Sequence, residues 1–533
     1  MSGASIETTL DLWARALRDA KARMRPLFTQ DRVAASAGQF LDGLLGPERR
    51  KTGWMRAEAA GDPGPWRQQA ILGRGRWEAD ALRDIVRDYA LETLADPDAV
   101  LVIDETGFLK QGKASCGVGR QYTGSAGKIT NCQIGVFAAY ASRHGHAFID
   151  RALYLPKAWI DDPARLAAAH VPPEMGFATK PRLAKRMIER AIAAGVPFAW
   201  VAADSVYGVS EIEMALRRAG KGYVLGVNAT QTFNAWIGKP EVAGTAEAIA
   251  AGLAPSAWQR LSAGEGTKGP RFYDWAYLEL ADLDADEYRE GATGTWTRGL
   301  LIRRSPADGS CAYFTTWCPA GTAIERLVAV EGQRWTIEDG FETAKNELGL
   351  DHNESRSWHG WHRHVSLVML AFAMLATIRH RANAPPPQKT LIQLTQMRRI
   401  SSVGRSKRSA ASPSASNSDA SSQGTVQRLG GLRRLRQCRF WVGHRFKSLA
   451  KPRIECAVVD GRPNLQQQVG TASRPPHLLR LGHAPVDQEV RGPFGDRRSD
   501  PQTGTMPFGI VDQPSALAAE IGVDLMQRVP QLA

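Results

Sequence analysis

The stretch AVLVIDETGF, residues 99–108, decides the fold. A short apolar run ending in acid predicts a buried strand with Asp104 near its C-terminal end. A second run of the same kind, PFAWVAADSVYG (197–208), ends at Asp204. Between them, ITNCQIGVFAAYAS (129–142) and HAFIDRALYLP (146–156) read as two further strands. KPRLAKRMIERAIAAG (180–195) reads as an amphipathic helix. After Asp204 come a helix, SEIEMALRRAG, and a fifth strand, GYVLGVN. Strands that end in Asp with helices between them predict a mixed α/β sheet, and such sheets bind ligands and metals at the carboxyl ends of their strands. The glycine-rich stretch 112–128 is no phosphate loop of the Walker type, because Tyr122 stands where that motif needs glycine. Turns between strands are its expected use.

Working outward, residues 1–95 read as helices. LDLWARALRDAKARM puts Leu10, Trp13, Leu17 and Met24 near one face, and Pro47, Gly61, Pro63 and Pro65 punctuate the region. Either a plain bundle or a DNA-docking one has this pattern. From about 230 to 325 the runs RFYDWAYLEL, TWTRGLLIRRS and CAYFTTWCP alternate like antiparallel strands. RSWHGWHRHVSLVMLAFAMLATIRHRA predicts a long, largely buried helix. The expected domains are therefore 1–95, 96–229, 230–325, 326–385 and 386–533.

The last of these differs from the rest. APPPQK reads as a linker, followed by a Ser-rich low-complexity stretch. Residues 401–533 hold only 5 aromatic residues against 36 in the first 400, so they offer little to bury. A basic disordered tail and a non-native extension both fit, and the second is the preferred reading. That segment also carries +9 of the net charge of +14, so overall charge says little about the folded part. No apolar run approaches a membrane-spanning length, and the N-terminus lacks the basic-then-apolar order of a signal peptide. Six scattered cysteines without a C-x-x-C pair suit a reducing cytoplasm.

RWTIEDGFETAK (334–345) raises the functional question. At ~100° per residue, Glu338 lies ~40° and Lys345 ~20° from Arg334 around a helix. A solvated face of paired charges would look the same. Yet Glu338 adds a third acid to Asp104 and Asp204. Three converging carboxylates repel unless a cation neutralises them, and hard oxygen ligands favour Mg²⁺ or Mn²⁺. Two such ions ~3.5–4 Å apart can stabilise both oxygens of an in-line phosphoryl displacement. A lone strand-terminal Asp more often just caps a turn. Two of them, with a helix-borne Glu in this order, favour the metal reading.

Taken together, VLVIDETGFLKQGKASCGVGRQYTGSAGKITNCQIGVF, AWVAADSVYG and RWTIEDGFETAKNELGLDHNESRSWHGWHRH resemble bacterial insertion-sequence transposases of the DDE superfamily, over roughly residues 10–385. The resemblance implies an RNase H-like fold with an inserted β region, and Asp104, Asp204 and Glu338 as catalytic metal ligands. It is to the branch whose Glu helix carries Tyr-x2-Arg-x3-Glu-x6-Lys. Arg334, Glu338 and Lys345 match its last three members, and Glu331 replaces the Tyr. Arg334 and Lys345 would hold phosphates of double-stranded DNA, namely the terminal inverted repeats and the target. The resemblance also leaves room for a homodimer in the synaptic complex.

Tyr207 is a further candidate DNA contact, with simple packing as the alternative. Glu105 should point to the opposite side of the strand from Asp104. His359, His362 and His364 have metal-like spacing or cap the long helix. Trp317 and Trp335 either stack on an unpaired base or belong to the core. Two other functions compete with an active transposase. A catalytically inactive relic that only binds DNA would be expected to have lost one of the three acids. A glycosidase with paired carboxylates leaves the Arg-Glu-Lys face unexplained.

Overall fold

The computed structural model describes residues 3–383 except 237 and 267–268. The expectations for the linker beyond 383 and for the tail concern residues outside that range.

The strands are β1 (Val100–Leu109), β2 (Gly119–Thr123), β3 (Lys128–Ser142), β4 (Gly145–Tyr154), β5 (Trp200–Ala203) and β6 (Gly222–Val227). They continue with β7 (Thr232–Asn234), β8 (Ala243–Thr245), β9 (Gln259–Gly266), β10 (Gly269–Asp284), β11 (Thr295–Arg304) and β12 (Cys311–Pro319). Ten of them form one sheet in the order β2-β3-β1-β5-β6-β12-β11-β10-β9, with β4 also paired to β3. β7 and β8 make a separate hairpin.

The centre of the sheet is parallel, β1 with β5 and β5 with β6. Both flanks are antiparallel. This is the mixed α/β sheet expected from the Asp-terminated runs. Every residue of β5 and β6 is buried, as befits strands covered on both faces. The β-rich region joins this sheet directly, because β12 pairs with β6 from Tyr313↔Val227 to Trp317↔Tyr223. The glycine-rich stretch contains a strand as well as turns. β2 lies inside it and pairs with β3, which explains why its Tyr122 is exposed on a sheet edge.

Helices Gly3–Met24, Asp31–Leu45, Gly53–Ala60, Trp66–Gly73 and Ala79–Leu94 precede the sheet. The first, second and last match the apolar periodicities in the sequence. Helix Trp358–Asn383 is long and apolar enough to cross a membrane, contrary to the expectation that nothing approaches that length. It is a core helix: 72% of its apolar window is buried in the fold, against β4 and helix Ala79–Leu94.

An aromatic cluster ties the Glu338 helix, Trp335–Leu348, to this core. Phe341 meets Phe137 of β3 at 5.2 Å and stacks on Phe148 of β4 at 5.3 Å. Phe148 in turn meets Phe372 at 5.1 Å. Such ring pairs contribute ~0.5–1.5 kcal/mol each beyond their area burial. Gly340 permits this approach, since a Cβ there would stand 3.0 Å from the Phe148 ring.

Candidate active site

β1 and β5 run parallel in register up to Ile103↔Ala203. The next residue on each strand is an aspartate, Asp104 and Asp204. Register alone thus places the two acids side by side where the parallel pairing ends. Asp104 is not at the end of its own strand, as the sequence suggested. β1 continues to Leu109, paired only with β3.

At β5 the chain leaves the sheet in a tight turn. The Val206 amide donates to Asp204 Oδ1 at 2.9 Å, and the Tyr207 amide donates to the Asp204 carbonyl at 3.1 Å. Glycine on the neighbouring strand makes room for this turn. A Cβ on Gly226 would come within 2.7 Å of the Ser205 nitrogen, and one on Gly208 within 1.9 Å of the Gly226 carbonyl.

Both carboxyls are half-buried and resist ionisation. Burial first, then the negative charge of Asp204, pushes Asp104 up to about 7, with Arg334 opposing. Burial also raises Asp204, with help from Glu105, while the Val206 amide and Arg334 oppose. Two acids in this state form a site that a cation would relieve.

Glu338 sits in the first turn of its helix. It pairs with Arg334 at 3.7 Å. Burial raises its pKa, and Arg334 opposes that shift too. One guanidinium therefore lies within electrostatic reach of all three predicted acids. Among the described residues, no three His, Cys, Asp or Glu side chains stand close enough to grip an ion together. The structure brings Asp104 and Asp204 together and links Glu338 to them through Arg334.

Lys345 reaches back from the same helix to β1. Its Nζ donates to Thr106 Oγ1 at 2.7 Å, to Ser125 Oγ at 2.8 Å and to the Gly107 carbonyl at 3.2 Å. Burial lowers its pKa. The Arg-Glu-Lys face is thus not merely solvated.

The other candidate residues meet different surroundings. Tyr207 is fully buried, and its hydroxyl donates to Glu105, so packing wins over DNA contact. Glu105, expected on the opposite side of the strand from Asp104, has partners of its own. It accepts from both Lys180 and Tyr207, and its charge reaches Asp204. Glu331 stands where the related signature has Tyr. It is 1% exposed and accepts from Arg303 Nη1 at 2.8 Å, with Arg334 Nε at 4.0 Å.

The histidines disperse. His359 bonds to the Gly73 carbonyl, His362 to that of Trp358 and His364 to that of Gly349. Burial pushes His362 and His364 down to about 3, so both stay neutral. Of the tryptophans, Trp317 is core, stacked on Trp296 at 5.6 Å. Trp335 lies under Arg271 at 4.8 Å.

Sequence reading missed the two arginines from the β-rich region. Arg271 donates to the Ala263 and Gly332 carbonyls. With Arg303, it braces the segment that leads into Arg334. Arg303 sits inside a regular strand pair, and Arg271 falls where the register of β10 against β9 shifts, which the sequence does not mark.

Two family models match the chain. One, described as DDE superfamily endonuclease, matches residues 23–252, and the other, a transposase DDE domain, matches residues 179–374. A probable transposase for insertion sequence element IS701 from Microchaete diplosiphon is 30% identical over 169 residues. That match spans 32% of this chain and 41% of the relative, less than half its length. The two models overlap across Asp204 and together run from residue 23 to 374, and they give one answer: the chain is similar to endonucleases and transposases of the DDE superfamily.

Proposed function

We propose that the protein cleaves phosphodiester bonds at transposon ends and transfers the freed 3′-hydroxyl into target DNA. The observation that carries this reading is the paired, ionisation-resistant Asp104 and Asp204 at the end of β1 and β5 pairing. The donor set fits a hard divalent cation, because two adjacent carboxylates lose their mutual repulsion only when positive charge enters. Asp104 and Asp204 would hold it, with Glu338 as the third acid. Bound there, Mg²⁺ or Mn²⁺, as one or two ions, would supply a more acidic water and stabilise charge on the phosphoryl oxygens.

The chain's own groups do the rest. Arg334 balances the acids and orients Glu338. Lys345 offers a positive charge to a DNA phosphate, which positions the strand without reading its sequence. Lys180 and Tyr207 hold Glu105, whose charge keeps Asp204 reluctant to ionise. Residues 1–95 would dock double-stranded DNA, and 230–325 would brace the Glu338 helix. A homodimer bridging the two ends and a cytoplasmic setting belong to the same reading.

The test is a duplex carrying the repeats that flank the gene, incubated with Mg²⁺. The expected result is cleavage at the repeat end and joining to a second duplex. Intact substrate with the wild-type chain would overturn the proposal and favour a relic that only binds DNA.

A further inference from the structure

A cleft of about 500 Å³ opens between helix Trp66–Gly73 and the segment 352–359. Its residues come from parts of the chain nearly 300 positions apart. Trp66 lines it and is 66% exposed, which is unusual for so large an apolar ring. The ring lies over Gly64, where a Cβ would stand 2.2 Å from it, so the backbone is shaped to keep the ring in place. Arg74 and Arg356 line the same cleft, are exposed, and have no acidic partner among the described residues. Arg56, 3% exposed, and His364, fully buried, also line it. Arg56 Nε, His364 Nδ1 and Ser355 Oγ are buried there without a hydrogen-bond partner. Glu354 is the one acid in the lining.

An aromatic plate, free guanidiniums and unpaired buried polar atoms suit a planar base joined to a phosphate. His352 lines this cleft and also a second one of about 370 Å³ lined by Arg49 and Lys345. The two clefts therefore share His352, and Asp351 is the acid in the second.

We propose that the cleft takes one unpaired nucleotide of the DNA, with its base on Trp66 and its phosphate on Arg74 and Arg356. This rests on the reading of the chain as a DNA-processing enzyme. The cleft would favour DNA with a single-stranded end or a disrupted base pair over an intact duplex.

The experiment uses the full chain and three probes: a blunt duplex of arbitrary sequence, the same duplex with a short single-stranded tail carrying 2-aminopurine, and free dAMP. The tailed DNA should bind roughly tenfold tighter than the blunt one, with 2-aminopurine quenched by stacking. Trp66→Ala and Arg356→Ala should lose both the preference and the quenching, and Trp66→Phe should keep them. An unchanged far-ultraviolet circular dichroism spectrum and thermal midpoint in Trp66→Ala and Arg356→Ala keeps a folded control within the experiment. An unchanged tail preference in both Trp66→Ala and Arg356→Ala overturns the proposal. So does micromolar dAMP binding without any tail preference, which would make the cleft a site for free mononucleotides. If the wild type binds no blunt duplex either, the DNA reading of the whole chain falls with it.

Discussion

Arg334 and Lys345 stand on one face of one helix and carry the same charge, yet they meet opposite surroundings. Arg334 faces Asp104, Asp204 and Glu338, and lies 4.0 Å from Glu331. Lys345 faces two hydroxyls and a carbonyl, and has no ion-pair partner among the described residues. Only the charge of Asp351 offsets the burial that lowers its pKa. The difference separates two jobs that the sequence motif lumps together. A cation among acids sets the electrostatics of those acids. A cation among neutral groups keeps its charge for a phosphate, and phosphate contacts dominate DNA affinity.

The widest gap between the two ends should appear when the acids themselves are removed. Asp104→Ala or Asp204→Ala should cut strand cleavage by about 10³-fold or more, because metal stabilisation supplies several kcal/mol. Binding to transposon ends should survive. Near wild-type cleavage by either variant in Mg²⁺ would remove that residue from the site.

A stability measurement sharpens the acid end. A carboxyl held above its unfolded value favours the folded state while it keeps its proton. Raised to about 7, Asp104 therefore costs the metal-free fold stability as pH climbs from about 4 through about 7. Discounted for partial exposure, Asp104→Asn should gain about 1–3 kcal/mol over the wild type at pH 8 and little at pH 4. Urea unfolding at the two pH values checks it. A gain that is equal at both would show that the carboxyl is not strained.

The brace behind Arg334 comes next. Glu331→Gln should destabilise the fold by about 1–2 kcal/mol, since it weakens a charged hydrogen bond with Arg303. It should also lower cleavage without changing the DNA salt slope. Unchanged thermal unfolding and cleavage would make Glu331 a bystander.

The smallest effect discriminates best between the two cations. Lys345→Ala should weaken DNA binding by about tenfold and reduce the salt slope by about one contact. Arg334→Ala should change the slope less, because its charge already serves the acids. Titrations at several salt concentrations decide, and the reverse order would break the comparison.

The sheet and the acids were legible for a simple reason. A buried parallel strand must be apolar throughout, so an Asp where the parallel pairing stops stands out, as at Asp104 and Asp204. The Arg334–Glu338–Lys345 spacing was legible because helical geometry is periodic. What escaped the sequence was long-range. The partners of Glu105, Lys180 and Tyr207, come from distant parts of the chain, which strand alternation cannot reveal. Tyr207 could be read as a DNA contact or as packing because nothing local says that its hydroxyl finds Glu105. The histidines looked like a ligand set because spacing ignores which carbonyl each ring meets. The Trp66 cleft needed residues from both ends of the described chain.

The pairing of β12 with β6 has a mechanical consequence. β6 also pairs with β5, so an unbroken ladder of backbone hydrogen bonds runs from the β-rich region to the strand that carries Asp204. A hinge cannot form between them without breaking that ladder. Amide protons of β5, β6 and β12 should therefore exchange with solvent as one slow cooperative unit, while β9 at the sheet edge exchanges early. A pull on the β-rich region by bound DNA would then be carried into the acid site with little slack.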